Sequence, residues 1–237
     1  KDSAARSKEG GKPEPKPSKP SPSPALDRNF PGSSYIGMIS VIAGLTVKGV
    51  IFHQGYNNAL DDSRPKQYAL NLKAMIADWR KAFDDKTLPF GIVEFSAGGE
   101  PQTLENYELR MIDPSPSIRE GQLKAFQDLP NMGFVCTYDQ QVNWYHPQKK
   151  VEAGERIARW ALATQYGLNL GWEPAFCVGV ERLKDKIIVT FNKEVKSSDD
   201  RTIEGFSISG TNHHFFPAKA AYVIIQNEKG RSIVDKK

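Results

Sequence analysis

Hydrophobic and polar positions divide this chain into three stretches. Residues 1–28, KDSAARSKEGGKPEPKPSKPSPSPALDR, are dominated by Pro, Lys and Ser and are nearly free of large apolar side chains. Such a segment cannot bury enough surface to offset the entropy lost on ordering, so it predicts a disordered, polyproline-like linker. From Tyr35 onward, short apolar runs alternate with helical spacing. Residues 47–52 (VKGVIF) predict a first strand. Tyr68, Leu72, Ile76, Trp79 and Phe83 form one apolar stripe on a helix over 66–83. Residues 89–95 predict a second strand, a helix follows around 117–127, and residues 132–138 predict a third strand. The last helix of this stretch is expected over 151–166, with Ile157, Ala158, Ala161, Leu162 and Tyr166 inward and Gly167 as its terminating residue.

Strands that are apolar almost throughout, alternating with helices, predict a parallel sheet covered on both faces. Ligands bind such sheets beyond the carboxyl ends of the strands. The polar clusters 53–58, 96–99 and 139–146 all follow predicted strand ends, and that shared placement is the reason to expect a site there. After Trp172 the helical spacing stops. Residues 186–191, 205–209 and 220–225 predict antiparallel strands of a small β region. No closing strand is expected before Asp235-Lys236-Lys237, so this region reads as cut short. The organisation expected is a linker (1–28), part of an α/β domain (29–171) and a β-rich C-terminal region (172–237).

Composition narrows the function. The 237 residues are 39% hydrophobic and 10% aromatic, enough for a packed core. Of the net charge of +4, the first 20 residues carry +3, six Lys/Arg against three Asp/Glu. The remainder is close to neutral, which argues against a nucleic-acid interface. Cys136 and Cys177 lie in apolar contexts and read as buried free thiols, without metal-type spacing. There is no membrane-length apolar run and no signal peptide, although a chain that starts with Lys looks processed or excised.

Two clusters carry candidate chemistry. In His53-Gln54-Gly55-Tyr56-Asn57-Asn58, the glycine permits a tight turn with an exposed N–H, and the Gln and Asn amides can donate to a developing oxyanion. The same residues would also serve as a polar turn with Asn caps. In Asp139-Gln140-Gln141-Val142-Asn143-Trp144-Tyr145-His146, the histidine can act as general base to a hydroxyl nucleophile, with Asp139 as a candidate partner for its other ring nitrogen. It could equally be a loop histidine bonded to backbone. No G-x-S-x-G is present; Ser33 and Ser34 precede the first core strand, and Ser96 and Ser209 sit in Gly-rich turns with no adjacent base. His213 and His214 are neighbours in a turn and point apart, so they read as solvated rather than as metal ligands.

Taken together, SSYIGMIS (33–40), VKGVIFHQGYNNA (47–59), MIADWR (75–80), LPFGIVEFS (88–96), IREGQ (118–122) and HPQKKVEAGERIARWALATQYG (146–167) resemble the sialate O-acetylesterase family of the SGNH-hydrolase superfamily. IIVTF (187–191), EGFSISG (204–210) and FFPAKA (215–220) resemble the β region that follows its catalytic domain. The resemblance implies a flavodoxin-like three-layer α/β/α fold, present in part, and a small antiparallel β region after it. It also implies hydrolysis of sugar acetyl esters by a Ser–His mechanism, without metal or cofactor, in a secreted or periplasmic protein. The family's serine lies in a Gly-Gln-Ser-Asn-type motif upstream of the Pro-rich stretch. The expectation is therefore that this chain alone is inactive and that an N-terminal segment supplies the nucleophile.

By position, the resemblance makes His146 the catalytic base and matches Gln54, Gly55 and Asn58 to the family's Gln-Gly-Glu-x-Asn block at the oxyanion and substrate site. Two positions depart. Tyr56 stands where the family has Glu, and is expected at the cleft mouth as a substrate-positioning aromatic. Asn143 stands where related hydrolases place Asp. An asparagine can hold an imidazole but cannot stabilise imidazolium as a carboxylate does, which leaves the orienting role to Asp139. Loss of both carboxylates would instead suit a non-catalytic carbohydrate-binding pseudo-enzyme.

Overall fold

The computed structural model describes Phe30 and residues 32–59, 65–96, 102–111, 114–140, 150–197, Ile203, 205–224 and 232–235. Three parallel strands, β1 (Val50–Phe52), β2 (Phe90–Val93) and β3 (Met132–Val135), pair in sequence order. Their registers, Phe52 opposite Ile92 and Val93 opposite Val135, bring the carboxyl ends level. Helix α1 (Pro65–Ala82) connects β1 to β2. Short α2 (Tyr107–Met111) and longer α3 (Pro114–Asp128) connect β2 to β3, and α4 (Val151–Gln165) follows β3.

The alternation along each strand decides which helix covers which face. Phe90, Ile92, Met132 and Phe134 point to the side where Tyr68, Leu72 and Ile76 of α1 meet Ile118 and Ala125 of α3. Burying each large apolar side chain of this set is worth about 1.5–3 kcal/mol. On the opposite face, Val93 and Val135 pack against Ile157 and Trp160 of α4. A Cβ at Gly91 or at Gly133 would overlap the Trp160 ring, so two glycines opposite each other in the register make the slot for the indole. The buried residues of α4 are therefore Ile157 and Trp160, whereas Ala158, Leu162 and Tyr166, expected inward, are exposed. Gly167 ends the helix at φ +71, as the terminating position requires.

Helix α4 does not reach β1. Ile51, level with Gly91, is 60% exposed on that face. Met38, Val41 and Leu45, which precede β1, are exposed too. Among the described residues the sheet is covered on both faces over β2 and β3 but not over β1, which corrects the expectation of full coverage.

The C-terminal region forms a four-stranded sheet, β4 (Cys177–Arg182), β5 (Ile187–Phe191), β8 (Ala221–Ile224) and β9 (Ser232–Asp235), in the order β4-β5-β9-β8. Strands β6 (Ser207–Ser209) and β7 (Phe215–Pro217) pair as a separate antiparallel hairpin. The absence of a closing strand was a wrong expectation: β9 is the last strand and lies inside its sheet, paired with both β5 and β8. This region joins the α/β core through Phe176, whose ring stacks on Phe126 at 5.3 Å and meets Phe134 at 6.2 Å. Both cysteines are free, but Cys136 is only partly buried and Cys177 is exposed, against the expectation of two buried thiols.

Candidate active site

All three strands hand over to polar residues at the same end of the sheet. After β1, His53 and Gln54 lead into Gly55, and a tight 3-10 turn follows at Tyr56–Ala59. Asn58 and Ala59 donate their N–H groups to the Gly55 carbonyl at 3.0 and 3.2 Å. Gly55 is buried, and a Cβ there would lie 2.8 Å from Phe95 and 3.0 Å from Ile118. Only glycine lets the β1 loop sit this low between β2 and α3.

A chain of hydrogen bonds runs beneath and into this loop. Gln122 of α3 is fully buried. Its Oε1 accepts the Phe95 N–H at 2.7 Å, and its Nε2 donates to the Gln54 carbonyl at 2.8 Å. One side chain thus ties the ends of β1 and β2 together. Gln122 Nε2 also lies 3.3 Å from the Tyr68 hydroxyl. That hydroxyl is within 3.0 Å of the Gln54 carbonyl and 3.1 Å of Gln54 Oε1. Gln54 Nε2 in turn donates to Asn58 Oδ1 at 2.6 Å. Burial pushes the Tyr68 phenol up to about 12, against the opposing pull of Gln122, so it stays protonated and can donate at any physiological pH.

Beyond β2 and β3 the groups are charged. Glu94 Oε2 accepts the Thr137 N–H at 3.2 Å, and the Thr137 hydroxyl donates to the Glu94 carbonyl at 2.7 Å. Burial raises the Glu94 carboxyl above its usual range, opposed by Thr137 and Arg119. Burial, with Glu94 beside it, also pushes the Cys136 thiol up to about 12, which makes it a poor nucleophile. Arg119 stacks over the Tyr138 ring at 5.0 Å. Arg156 of α4 donates through two nitrogens to the two oxygens of Asp139, at 2.7 and 2.6 Å, and also reaches the Cys136 carbonyl at 2.6 Å. The hydrogen bonds from Arg156 hold the Asp139 carboxyl below its usual range, so it stays ionised.

Of the residues expected at the site, Gln54, Gly55, Tyr56 and Asn58 share one loop, with Gln54 and Asn58 bonded to each other. Tyr56 is partly buried and packs against the core side of the loop. Asp139 stands at the β3 end, paired with Arg156. His146 and Asn143 lie outside the described residues, as do 97–99 of the second cluster. Ser96 is fully buried, which removes it as an accessible nucleophile. His213 and His214 are exposed, the latter paired with Glu108 on α2. Sequence reasoning missed the parts played by Tyr68, Gln122 and Arg156. Among the described residues, no group of three or more His, Cys, Asp or Glu is placed to hold a metal, and no helix is long and apolar enough to cross a membrane.

Residues 32–163 match the family model described as carbohydrate esterase, sialic acid-specific acetylesterase. The chain belongs to this family. The sialate O-acetylesterase of Homo sapiens is 25% identical over 212 residues, covering 80% of this chain and 39% of the human protein. That of Rattus norvegicus is 28% identical over 191 residues, covering 70% and 33%. A solved structure described as a novel carbohydrate acetylesterase from Xanthomonas citri superposes with a TM-score of 0.65 at 28% identity, over 81% of this chain and 42% of that one. The chain thus spans well under half the length of these acetylesterase relatives. The matched span includes the β1 loop, Gln122 and the end of β3.

Proposed function

We propose that this chain is part of a carbohydrate O-acetylesterase that releases acetate from sugar hydroxyls by a Ser–His mechanism, its serine supplied by sequence outside this chain. The fold in this reading is the three-layer SGNH-hydrolase type. The observation that carries it is the β1 loop. Gly55 is set deep at a strand end, and Asn58 has its amide oxygen engaged by Gln54, so its nitrogen remains as a donor. Such fixed donors stabilise the oxyanion of a tetrahedral intermediate. His146 is the general base, and Asp139, kept ionised by Arg156, orients it and stabilises its imidazolium form. In this reading Gln54 and Tyr56 help position the substrate, Tyr56 from a ring partly packed against the core side of the loop. No metal or cofactor enters this mechanism.

The open edge of the sheet supports the external nucleophile. Among the described residues β1 pairs only with β2, and Ile51 is bare on the face that α4 covers elsewhere. One more strand beside β1 would cover this edge and bring its own carboxyl end next to Gly55. Tyr56 and Asn143, where the family pattern has carboxylates, favour a second reading, a carbohydrate binder without catalysis.

Acetate release from O-acetylated sugars by the full-length protein decides between the two. Hydrolysis that His146→Ala lowers at least about a thousandfold is expected, as is no turnover of 4-nitrophenyl acetate by residues 1–237 alone. Sugar binding without hydrolysis by the full-length protein would establish the binder. Ordinary esterase turnover by this chain alone would place the nucleophile within it.

A further inference from the structure

We infer that Tyr68 and Gln122 are positioning residues that set which end of the Asn58 amide faces the substrate, acting through Gln54. A primary amide is nearly symmetric in shape, and only its hydrogen-bond partners distinguish oxygen from nitrogen. Asn58 and Gln54 meet amide to amide at 2.6 Å, at the solvent-facing end of the loop. That contact requires one oxygen and one nitrogen but does not say which residue contributes which. If both amides turned over together the bond would survive, and Asn58 would present its oxygen, which repels an oxyanion, where its nitrogen now stands.

The polarity is fixed from the other end of the chain of bonds. The Phe95 N–H can only donate, so the group facing it at 2.7 Å must be Gln122 Oε1. Gln122 Nε2 is thereby turned toward the Gln54 carbonyl, a pure acceptor, and toward the Tyr68 hydroxyl. A hydroxyl that accepts from Gln122 has its own proton free for Gln54, whose Oε1 lies 3.1 Å away. With its oxygen on Tyr68, Gln54 turns its nitrogen to Asn58 Oδ1, and Asn58 Nδ2 is left outward. Each group inherits its orientation from the one before, starting at a backbone N–H that cannot reverse. Gln122 and Tyr68 are both buried, so water does not compete for the inner links. The Gln54 carbonyl, 3.0 Å from the same hydroxyl, is the competing acceptor within the network, but it already accepts from Gln122 Nε2 at 2.8 Å. Removing the Tyr68 hydroxyl leaves its ring in place, so the hydroxyl can be tested by itself.

The kinetic arm rests on the esterase reading, so a second arm does not use activity. In the full-length protein, Tyr68→Phe keeps the ring and removes the relay. The expected result is a kcat lowered about tenfold with KM within about twofold, the split expected when only transition-state stabilisation is lost. Asn58→Ala should cost about a hundredfold, and adding Tyr68→Phe to it should cost nothing further, because the relay then has nothing to orient. An undiminished tenfold loss in the Asn58→Ala background would overturn the inference, as would a Tyr68→Phe variant that loses only thermal stability. For the second arm, the side-chain amide of Asn58 is followed by 15N NMR. A single pair of resonances in the wild type that doubles or broadens in Tyr68→Phe supports the relay. A pair that Tyr68→Phe leaves unchanged overturns it. If the wild type hydrolyses no acetyl ester, the esterase reading falls while the NMR arm still decides the relay.

Discussion

Arg156 grips Asp139 by both carboxylate oxygens, at 2.7 and 2.6 Å, from a helix that begins after β3 has already turned into its loop. The same guanidinium holds the Cys136 carbonyl at 2.6 Å. One residue of α4 therefore fixes both the backbone at the end of β3 and the carboxylate that follows it. Each Asp139 oxygen still has a lone pair for an imidazole N–H, and the pair keeps the carboxylate ionised.

The energetic and catalytic consequences of this pair differ in size. Asp139 is exposed, and exposed pairs contribute only about 0.2–1 kcal/mol, so Asp139→Asn should lower Tm little. If Asp139 orients His146, the same substitution lowers kcat of the full-length enzyme about a hundredfold or more. Steady-state kinetics beside a melting curve separates the two effects. An unchanged kcat would pass the orienting role to another group.

Trp160 and Gly133 offer a test of the second face of the sheet. Gly133→Ala places a methyl group in the indole slot, and overpacking of this kind costs about 1–3 kcal/mol. For a domain of this size each kcal/mol lowers Tm by about 2–4 °C. Trp160→Phe reduces the ring, so Gly133→Ala should cost distinctly less in that background. Equal costs in both backgrounds would mean that α4 is free to move away, and that the slot is not what fixes it.

How legible this arrangement was depended on how far apart the partners lie. The α1 stripe was clear because Tyr68, Leu72 and Ile76 repeat within one helix and face one core. The apolar runs of β2 and β3 were equally clear, since all four residues of each are buried. Trp160 was not picked out, because its place depends on Gly91 and Gly133 in strands far away along the chain. The strand at Ser232–Asp235 was missed because four residues carry little periodicity, and its pairing with Val189 and Thr190 is non-local. Gln122 entered only as the last residue of the matching stretch IREGQ, with no role of its own. Only the ends of β1 and β2 arriving on either side of it show why a buried amide is needed there. The β1 loop was readable through its glycine and amides, while the groups that orient it were hidden among residues that looked like core.

Tyr56 combines a packing role with a proposed substrate contact. Its ring lies partly buried against the core side of the loop, so Tyr56→Ala should lower Tm as well as raise KM several-fold. Tyr56→Phe keeps the ring and should be mild in both. Tyr56→Glu restores the family's residue, and kcat/KM on O-acetylated sialic acid is expected to rise relative to other acetylated sugars. An unchanged ratio would show that this position does not set the substrate class.

Glu94 gives a pH dependence whose sign can be worked out. Burial is the main influence on its carboxyl and raises it, while the Thr137 N–H, Arg119, Cys136 and the Tyr138 N–H pull the other way and do not cancel it. A raised value means that folding favours the protonated form. The associated stability is fully present below the ordinary glutamate range, and is lost as the pH climbs through the raised value. Above the raised value the folded protein therefore holds a partly desolvated charge. Glu94→Gln removes that charge and keeps an oxygen for the Thr137 N–H. The variant should melt with the wild type near pH 4 and above it at pH 7, by about 2 °C or more. The difference should open as the pH climbs through the raised value. A variant less stable than the wild type at pH 7 would mean that Arg119 and the hydrogen bonds outweigh desolvation. The carboxylate would then be a stabilising partner of Arg119 rather than a strained one.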